Sequence, residues 1–162
     1  MSITFNADEI FEMAEQIERN GAKFYREAAN KASDADVKEM LLSLAAMEDG
    51  HQKTFAQMRK ELSAEEKESN VFDPDNEVAQ YLQTMADFHG TEGKAGPTEK
   101  LTGQESMADI LKIALQAEKN SIAFYVGIKD IVSSKAGKAK VQAIIIEEMA
   151  HVSTIGGKLQ SL

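Results

Sequence analysis

The segment QIERNGAKFY, residues 16–25, returns one hundred residues later as QAEKNSIAFY, residues 116–125. The two copies share Gln, Glu, Asn, Phe and Tyr at the same five places. A second pair of segments, MEDGH at 47–51 and EEMAH at 147–151, shares Glu-x-x-His at the same offset. The chain therefore contains one polar pattern twice, and this pattern indicates how the surrounding segments fold.

Each copy lies in a long segment whose apolar residues recur three and four positions apart, as on the core-facing side of a helix. In all four such segments the apolar stripe is interrupted near its middle by Glu or by Glu-x-x-His. Helix-capping signals set the expected ends. The first predicted helix runs from about Asp8 to Ala32, with Asn6 or Asp8 as its cap. The second starts after SDAD (33–36), where Ser33 and Asp36 form a capping-box-like pair, and continues to about Leu62. The third starts near Gln104 or Ser106 and ends around Val132, and the fourth runs from about Gly137 to Ile155 or beyond, with Gly156 and Gly157 as its terminator.

Between the second and third helices lie about forty residues of different character. A short helix is predicted in 73–90, with Pro74 near its first turn, and a loop in the Gly-rich stretch 90–103. The expected fold is an all-α, ferritin-like four-helix bundle forming one domain over residues 1–162. It consists of hairpin 1 at about 7–62, a crossover at about 63–103 and hairpin 2 at about 104–160.

The composition argues against several classes of partner and site. The sequence has no run of eighteen apolar residues, and MSITFNADEIF at its start lacks the regions of a signal peptide, so a cytoplasmic location is expected. The net charge of −9 argues against nucleic acid or an anionic membrane as a partner. Because the chain has no cysteine, carboxylate and imidazole would have to hold any metal.

The candidate functional residues are those that interrupt the apolar stripes. Burying an isolated carboxylate costs several kcal/mol unless it is paired or binds a metal. The candidates lie at similar distances along the helices from the two hairpin turns. If the hairpins pack symmetrically, these side chains therefore meet at one point in the bundle. Two divalent metals would cancel the charge of four clustered carboxylates, and a sulfur-free ligand set suits iron, with manganese as the alternative. The predicted metal ligands are Glu18, Glu48, His51, Glu118, Glu148 and His151.

Further polar residues lie beside these ligands. Tyr25 and Tyr125 each follow a glutamate by seven positions on the same helix face, so each phenol is expected to reach back to a liganding carboxylate and orient it. The alternative is an aromatic core residue with a satisfied hydroxyl. Glu147 is expected on the flank of the cluster rather than among the ligands. His89 is expected in solvent at the end of the short crossover helix.

The segments IERNGAKFYREAA, MEDGH, AEKNSIAFY and EEMAH resemble the ferritin-like superfamily and, within it, the rubrerythrin group. The resemblance covers all four long helices, and the crossover carries no comparable signal. It implies a di-iron carboxylate site in which Glu48 and Glu148 bridge two iron ions. By the same resemblance, the remaining ligands are Glu18 with His51 on one ion and Glu118 with His151 on the other.

Two departures from the family bear on the chemistry. Many rubrerythrins receive electrons through a Cys-ligated iron in a rubredoxin domain, whereas this chain has no cysteine, so an external donor protein is expected. The family also carries an additional glutamate on the third helix, which is tied to metal movement in its peroxide chemistry. The position three after Glu118 is Ser121.

The functional prediction is an oxidoreductase of peroxidase or ferroxidase type that acts on Fe(II), peroxide or dioxygen. The resemblance implies a role in oxidative-stress defence or iron handling. One alternative is an iron-binding or storage protein without turnover, and another is a helical interaction module that binds no metal. A homodimer is expected, because helical hairpins of this kind often pair.

Overall fold

The computed structural model describes residues 4–90 and 94–162. Two helical hairpins form the bundle: α1 (Ala7–Lys31) pairs with α2 (Ala35–Glu61), and α5 (Met107–Lys129) pairs with α6 (Lys135–Ser161). The crossover contains α3 (Ala64–Glu68), which was not predicted, and α4 (Glu77–Asp87), which packs against α5. The predicted all-α bundle with a long crossover and a short helix is confirmed. Residues 91–93 of the predicted loop lie outside the described residues.

Short polar side chains determine where the first hairpin's helices begin. Asn6, one of the two predicted caps, forms a capping box with Glu9 at the start of α1. The cap of α2 is Asp34 rather than the predicted Ser33, and its carboxylate accepts a hydrogen bond from the backbone N–H of Val37.

No helix in the described part of the chain has the length and apolar character that crossing a membrane requires.

α6 continues past Gly156 and Gly157 to Ser161, although the two glycines predict an end near Ile155. A glycine inside a helix costs about 1 kcal/mol relative to alanine. Ile155 is fully buried and Leu159 packs against the same apolar cluster, so contacts on both sides of the glycines offset this cost. Tertiary packing, rather than local propensity, decides where this helix ends.

Among the described residues, the hydrophobic core consists of two apolar clusters stacked along the bundle. One includes Phe55 and Phe124, and the other includes Phe24 and Leu41. In each long helix, residues of one cluster precede the polar residues of the repeat and residues of the other cluster follow them. The repeat therefore contributes a polar layer that is enclosed by apolar side chains above and below.

The crossover places His89 in the interior, so the prediction that it lies in solvent is wrong: the residue is 2% exposed. Gly90 has a φ of 79°, and a Cβ there would lie 2.5 Å from the backbone nitrogen of Gly96, so only glycine fits this turn. The side-chain amide of Asn20 donates a hydrogen bond to the His89 carbonyl over 2.6 Å. The turn thus fastens the end of α4 to α1.

Candidate metal centre

All six residues predicted as ligands lie in the polar layer between the two apolar clusters, and none is more than 5% exposed. Every long helix contributes to the layer, because each has its Glu or Glu-x-x-His where its apolar stripe is interrupted. The contributors are Glu18 of α1, Glu48 and His51 of α2, Glu118 of α5, and Glu148 and His151 of α6.

The six side chains form two overlapping groups. Within each group, one ligand atom of every member lies within 4.8 Å of the others. Glu48 and Glu148 belong to both groups, which is the arrangement expected of carboxylates shared by two neighbouring metal positions. The first group is Glu18, Glu48, His51 and Glu148; the second is Glu48, Glu118, Glu148 and His151.

Both histidines direct Nδ1 towards the carboxylates. His51 Nδ1 lies 2.9 Å from Glu148 Oε1 and 3.5 Å from Glu18 Oε2. His151 Nδ1 lies 3.2 Å from Glu48 Oε1 and 3.2 Å from Glu148 Oε2. The two imidazole rings stack, with their centroids 5.7 Å apart. The two histidines therefore occupy corresponding places in the two halves of the layer.

Several buried atoms of the layer have no hydrogen-bond partner among residues 4–90 and 94–162. They include Glu18 Oε2, Glu48 Oε1, Glu148 Oε1 and His51 Nδ1. His51 Nδ1 and Glu148 Oε1 are only 2.9 Å apart, yet their angles do not suit a hydrogen bond. Close approach without hydrogen-bond geometry is expected of two ligands of one ion. Since each unsatisfied buried polar group costs about 1–3 kcal/mol, these residues fit a metal site that would satisfy them.

The carboxylates and imidazoles of the layer strongly perturb one another. Burial, together with the charge of Glu48, raises the pKa of Glu148 to about 8. Burial and the charge of Glu18 raise the pKa of Glu48 well above its usual value. Burial lowers the pKa of His51, but the neighbouring Glu148 and Glu18 carboxylates outweigh it and raise that pKa to about 11. The cluster therefore retains protons at neutral pH unless cations take their place.

Each tyrosine of the repeat hydrogen-bonds to the glutamate of the other repeat: Tyr25 donates to Glu118, and Tyr125 donates to Glu18. The spacing indicates the glutamate seven positions back on the same helix, but α1 and α5 pack together and the bonds cross between them. Burial and the neighbouring carboxylate charges raise the pKa of both phenols, which keeps them protonated as donors.

Glu147 is a site residue whose contact the sequence reasoning missed. Its carboxylate Oε2 lies 2.7 Å from Nε2 of His51, the ring nitrogen that faces away from the cluster. Metal-binding histidines commonly donate their second N–H to a carboxylate in this way. The repeat marks Glu147 as asymmetric, because it corresponds to Met47, but the contact with His51 depends on how α6 packs against α2.

A small cavity of about 10 Å³ adjoins the polar layer at Ser121. Its lining includes Gly21, Glu48 and Glu118, together with His89 from the crossover. Nε2 of His89 lies 3.5 Å from Ser121 Oγ, and burial lowers the pKa of His89 to about 4, so the imidazole is neutral. The cavity has room for about one water-sized molecule beside the carboxylates.

A larger cavity of about 290 Å³ lies at one end of the bundle, where α1 and α6 begin and α2 and α5 end. None of the six ligand candidates lines it. The polar layer, with its clustered ionisable groups, is therefore the site that the structure singles out for chemistry.

Comparison with known proteins agrees with this geometry. The Rubrerythrin family model matches residues 9–155. A crystal structure of a Thermotoga maritima protein assigned to the ferritin-like diiron-carboxylate proteins matches with a TM-score of 0.72, covering 99% of this chain and 98% of that chain at 22% identity. At 22% identity, this structural similarity shows that the two chains share a fold. A search of curated protein sequences gives no significant match.

Proposed function

The chain belongs to the rubrerythrin family, and we propose that it is a non-haem di-iron carboxylate oxidoreductase that acts on peroxide, dioxygen or Fe(II). The observation that carries the proposal is the enclosed layer of four glutamates and two histidines, whose ligand atoms fall into two overlapping groups. Four carboxylates, two shared between the groups, match two divalent cations in charge.

One iron would be held by the first group and the other by the second, with Glu48 and Glu148 shared between them. When bound, iron supplies the redox chemistry, exchanging electrons with a small oxidant or with added Fe(II). Oxygen and imidazole ligands without sulfur support iron, and manganese is the alternative metal.

The chain's own residues prepare the ligand atoms. The Tyr125 hydroxyl donates a hydrogen bond to Oε1 of Glu18, which leaves Oε2, the oxygen that faces His51, available for metal. The apolar clusters on both sides, with Phe55 and Phe124 in one and Phe24 in the other, exclude bulk water from the layer. A fixed and dry set of ligands is what the protein contributes to metal-centred catalysis.

Electrons have to come from outside the chain in this proposal. Reduction of one peroxide to two waters consumes two electrons and two protons. Because the sequence has no cysteine to hold a second, electron-transferring iron of the rubredoxin type, we propose that an external donor protein supplies the electrons. Pairing into a homodimer and a cytoplasmic location remain predictions that complete this proposal.

The proposed activity is tested by parallel oxidant challenges. Protein loaded anaerobically with Fe(II) is mixed with peroxide or dioxygen in the presence of a reductant, and consumption of each oxidant is followed over many turnovers. Sustained consumption of either oxidant supports the oxidoreductase. Bound iron that oxidises once and never turns over contradicts it and favours iron binding or storage, in which case the mass in solution should show a shell of many subunits rather than a dimer.

A further inference from the structure

The two halves of the polar layer differ at Nε2 of their histidines. His51 Nε2 lies 2.7 Å from the carboxylate of Glu147. His151 Nε2 is buried and has no hydrogen-bond partner in the described part of the chain. Because both rings present Nδ1 to the cluster, the difference concerns only the outward side of each imidazole.

A single pair of repeat positions explains this difference. Glu147 of EEMAH corresponds to Met47 of MEDGH, at the offset that relates the two copies. Met47 is half-buried on α2, and its thioether is at best a weak acceptor for an imidazole N–H. Where α6 offers His51 a carboxylate, α2 therefore offers no comparable group to His151.

The contact has a defined effect on a metal ligand. A carboxylate that accepts a hydrogen bond from Nε2–H fixes the tautomer with the proton on Nε2, so that the lone pair of Nδ1 is directed at the metal. The same hydrogen bond makes the imidazole a stronger electron-pair donor. An imidazole without such a partner has no fixed tautomer, and binding metal through Nδ1 leaves a buried N–H unsatisfied. Metal affinity is therefore expected to differ between His51 and His151.

We propose that Glu147 is a positioning residue that makes the metal position of His51 the tighter of the two and the first to fill with Fe(II) or Mn(II). The position of His151 fills second, because Met47 stands where its carboxylate partner would be. This inference rests on the proposed function, since it requires that the layer binds two metal ions. Loss of such a partner typically lowers metal affinity about 10- to 100-fold.

The ordinary alternative is a surface ion pair without functional consequence. The Glu147 side chain is 50% exposed, whereas that of His51 is 5% exposed. An exposed pair of this kind contributes little to stability. A contact of that kind would leave the metal affinity of both positions, and the order in which they fill, unchanged when Glu147 is replaced. Metal affinity at each position is therefore the decisive quantity.

The experiment is an anaerobic calorimetric titration of the metal-depleted full chain with Fe(II), repeated with Mn(II). Wild type is expected to bind in two steps whose dissociation constants differ by about 10- to 100-fold. Glu147→Ala should weaken the tighter step by a similar factor, and Glu147→Gln, which keeps an acceptor oxygen, should weaken it less. Met47→Glu should strengthen the weaker step.

Single-position backgrounds identify which histidine is affected. With His151→Ala present, Glu147→Ala should still weaken the remaining step, and with His51→Ala present it should have no effect. Persistence of the effect without His51, or two equal steps in the wild type, overturns the inference while leaving a two-metal site intact. Absence of metal binding in the wild type overturns both the inference and the proposed function. Circular dichroism confirms that each variant is folded.

Discussion

The phenol of Tyr125 donates a hydrogen bond to the carboxylate of Glu18, which belongs to the other copy of the repeat. The bond connects α5 of the second hairpin to α1 of the first, and the bond from Tyr25 to Glu118 runs the opposite way. The two hairpins are thus joined in the layer that also holds the candidate ligands. These two bonds therefore contribute both to the contact between the hairpins and to the orientation of two candidate ligands.

Replacing Tyr125 with Phe should lower metal affinity about 10-fold, because Glu18 loses the donor that orients it. The protein should also be destabilised by about 1–3 kcal/mol, since a buried acceptor is left without its partner. Anaerobic Fe(II) titration and thermal unfolding measure the two effects. Tyr81→Phe is the control, because the Tyr81 hydroxyl donates to the Ala123 carbonyl outside the layer. Equal metal affinities in the two variants would contradict the proposed role of Tyr125.

Replacing Glu148 with Gln should separate stability from metal binding. The side chain is fully buried and its pKa is raised to about 8, so the carboxylate is costly to ionise there. The metal-depleted variant should unfold at the wild-type temperature or above. Saturating Fe(II) or Mn(II), at about 100-fold over its dissociation constant, should raise the wild-type midpoint by roughly 5–10 °C and that of the variant by little. Exposed Glu39→Gln serves as the control, and an equal metal-induced rise in Glu148→Gln would count against the site.

Metal-depleted protein should lose stability as the pH rises from 6 to 9. Folding raises the pKa of Glu148 from 4.5 to about 8 and that of His51 from 6.5 to about 11. At these two groups the folded state therefore binds more protons than the unfolded state, for Glu148 between about pH 4.5 and 8 and for His51 between about pH 6.5 and 11. Each group's contribution is fully present below its unfolded pKa and is lost as the pH rises through its folded pKa.

Midpoints of thermal unfolding in chelator-treated samples at pH 6 and pH 9 measure this dependence. Metal affinity should change in the opposite direction and increase with pH, because metal displaces protons from the same ligands. A metal-depleted protein that is more stable at pH 9 than at pH 6 would show that the layer does not hold its protons as described.

Replacing Asn20 with Ala should loosen the crossover. Its amide donates to the His89 carbonyl over 2.6 Å, so the change should cost about 0.5–1.5 kcal/mol and speed hydrogen exchange around residues 86–90. Asn120→Ala is the matched control: in the second copy, the Asn120 side chain accepts a hydrogen bond from Gln116 on its own helix. Similar exchange near His89 in both variants would contradict this assignment.

The helices and the cluster were predictable because they depend on periodicity. Glu18 and Glu118 interrupt the apolar stripes of their helices in the same register, which is visible in the sequence. The polar residues of all four helices lie at similar distances from the hairpin turns, which places them in one layer. The duplication excludes most other interpretations of these glutamates. A single glutamate on the core-facing stripe could result from a wrong assignment of the helix register, whereas four glutamates and two histidines in matching positions could not.

The contacts of His89, Glu147 and the two tyrosines could not be predicted in the same way, because they depend on how separate segments meet. The turn at Gly90 and a hydrogen bond from the Asn20 amide to the His89 carbonyl hold His89 in the interior. Asn20 and His89 are sixty-nine residues apart in the sequence. The contact of Glu147 with His51 and the crossed tyrosine bonds join different helices. These contacts depend on the distances between packed helices, and the residue spacing within one helix does not determine those distances.

Metal stoichiometry decides whether the six residues of the layer bind two metal ions. Metal-depleted wild type and Glu48→Ala are titrated anaerobically with Fe(II), and bound iron per chain is measured after removal of free metal. Because Glu48 belongs to both groups, we expect two irons per chain in the wild type and a loss of binding at both positions in the variant. A wild type that retains no iron, or a variant that still binds two, would contradict it.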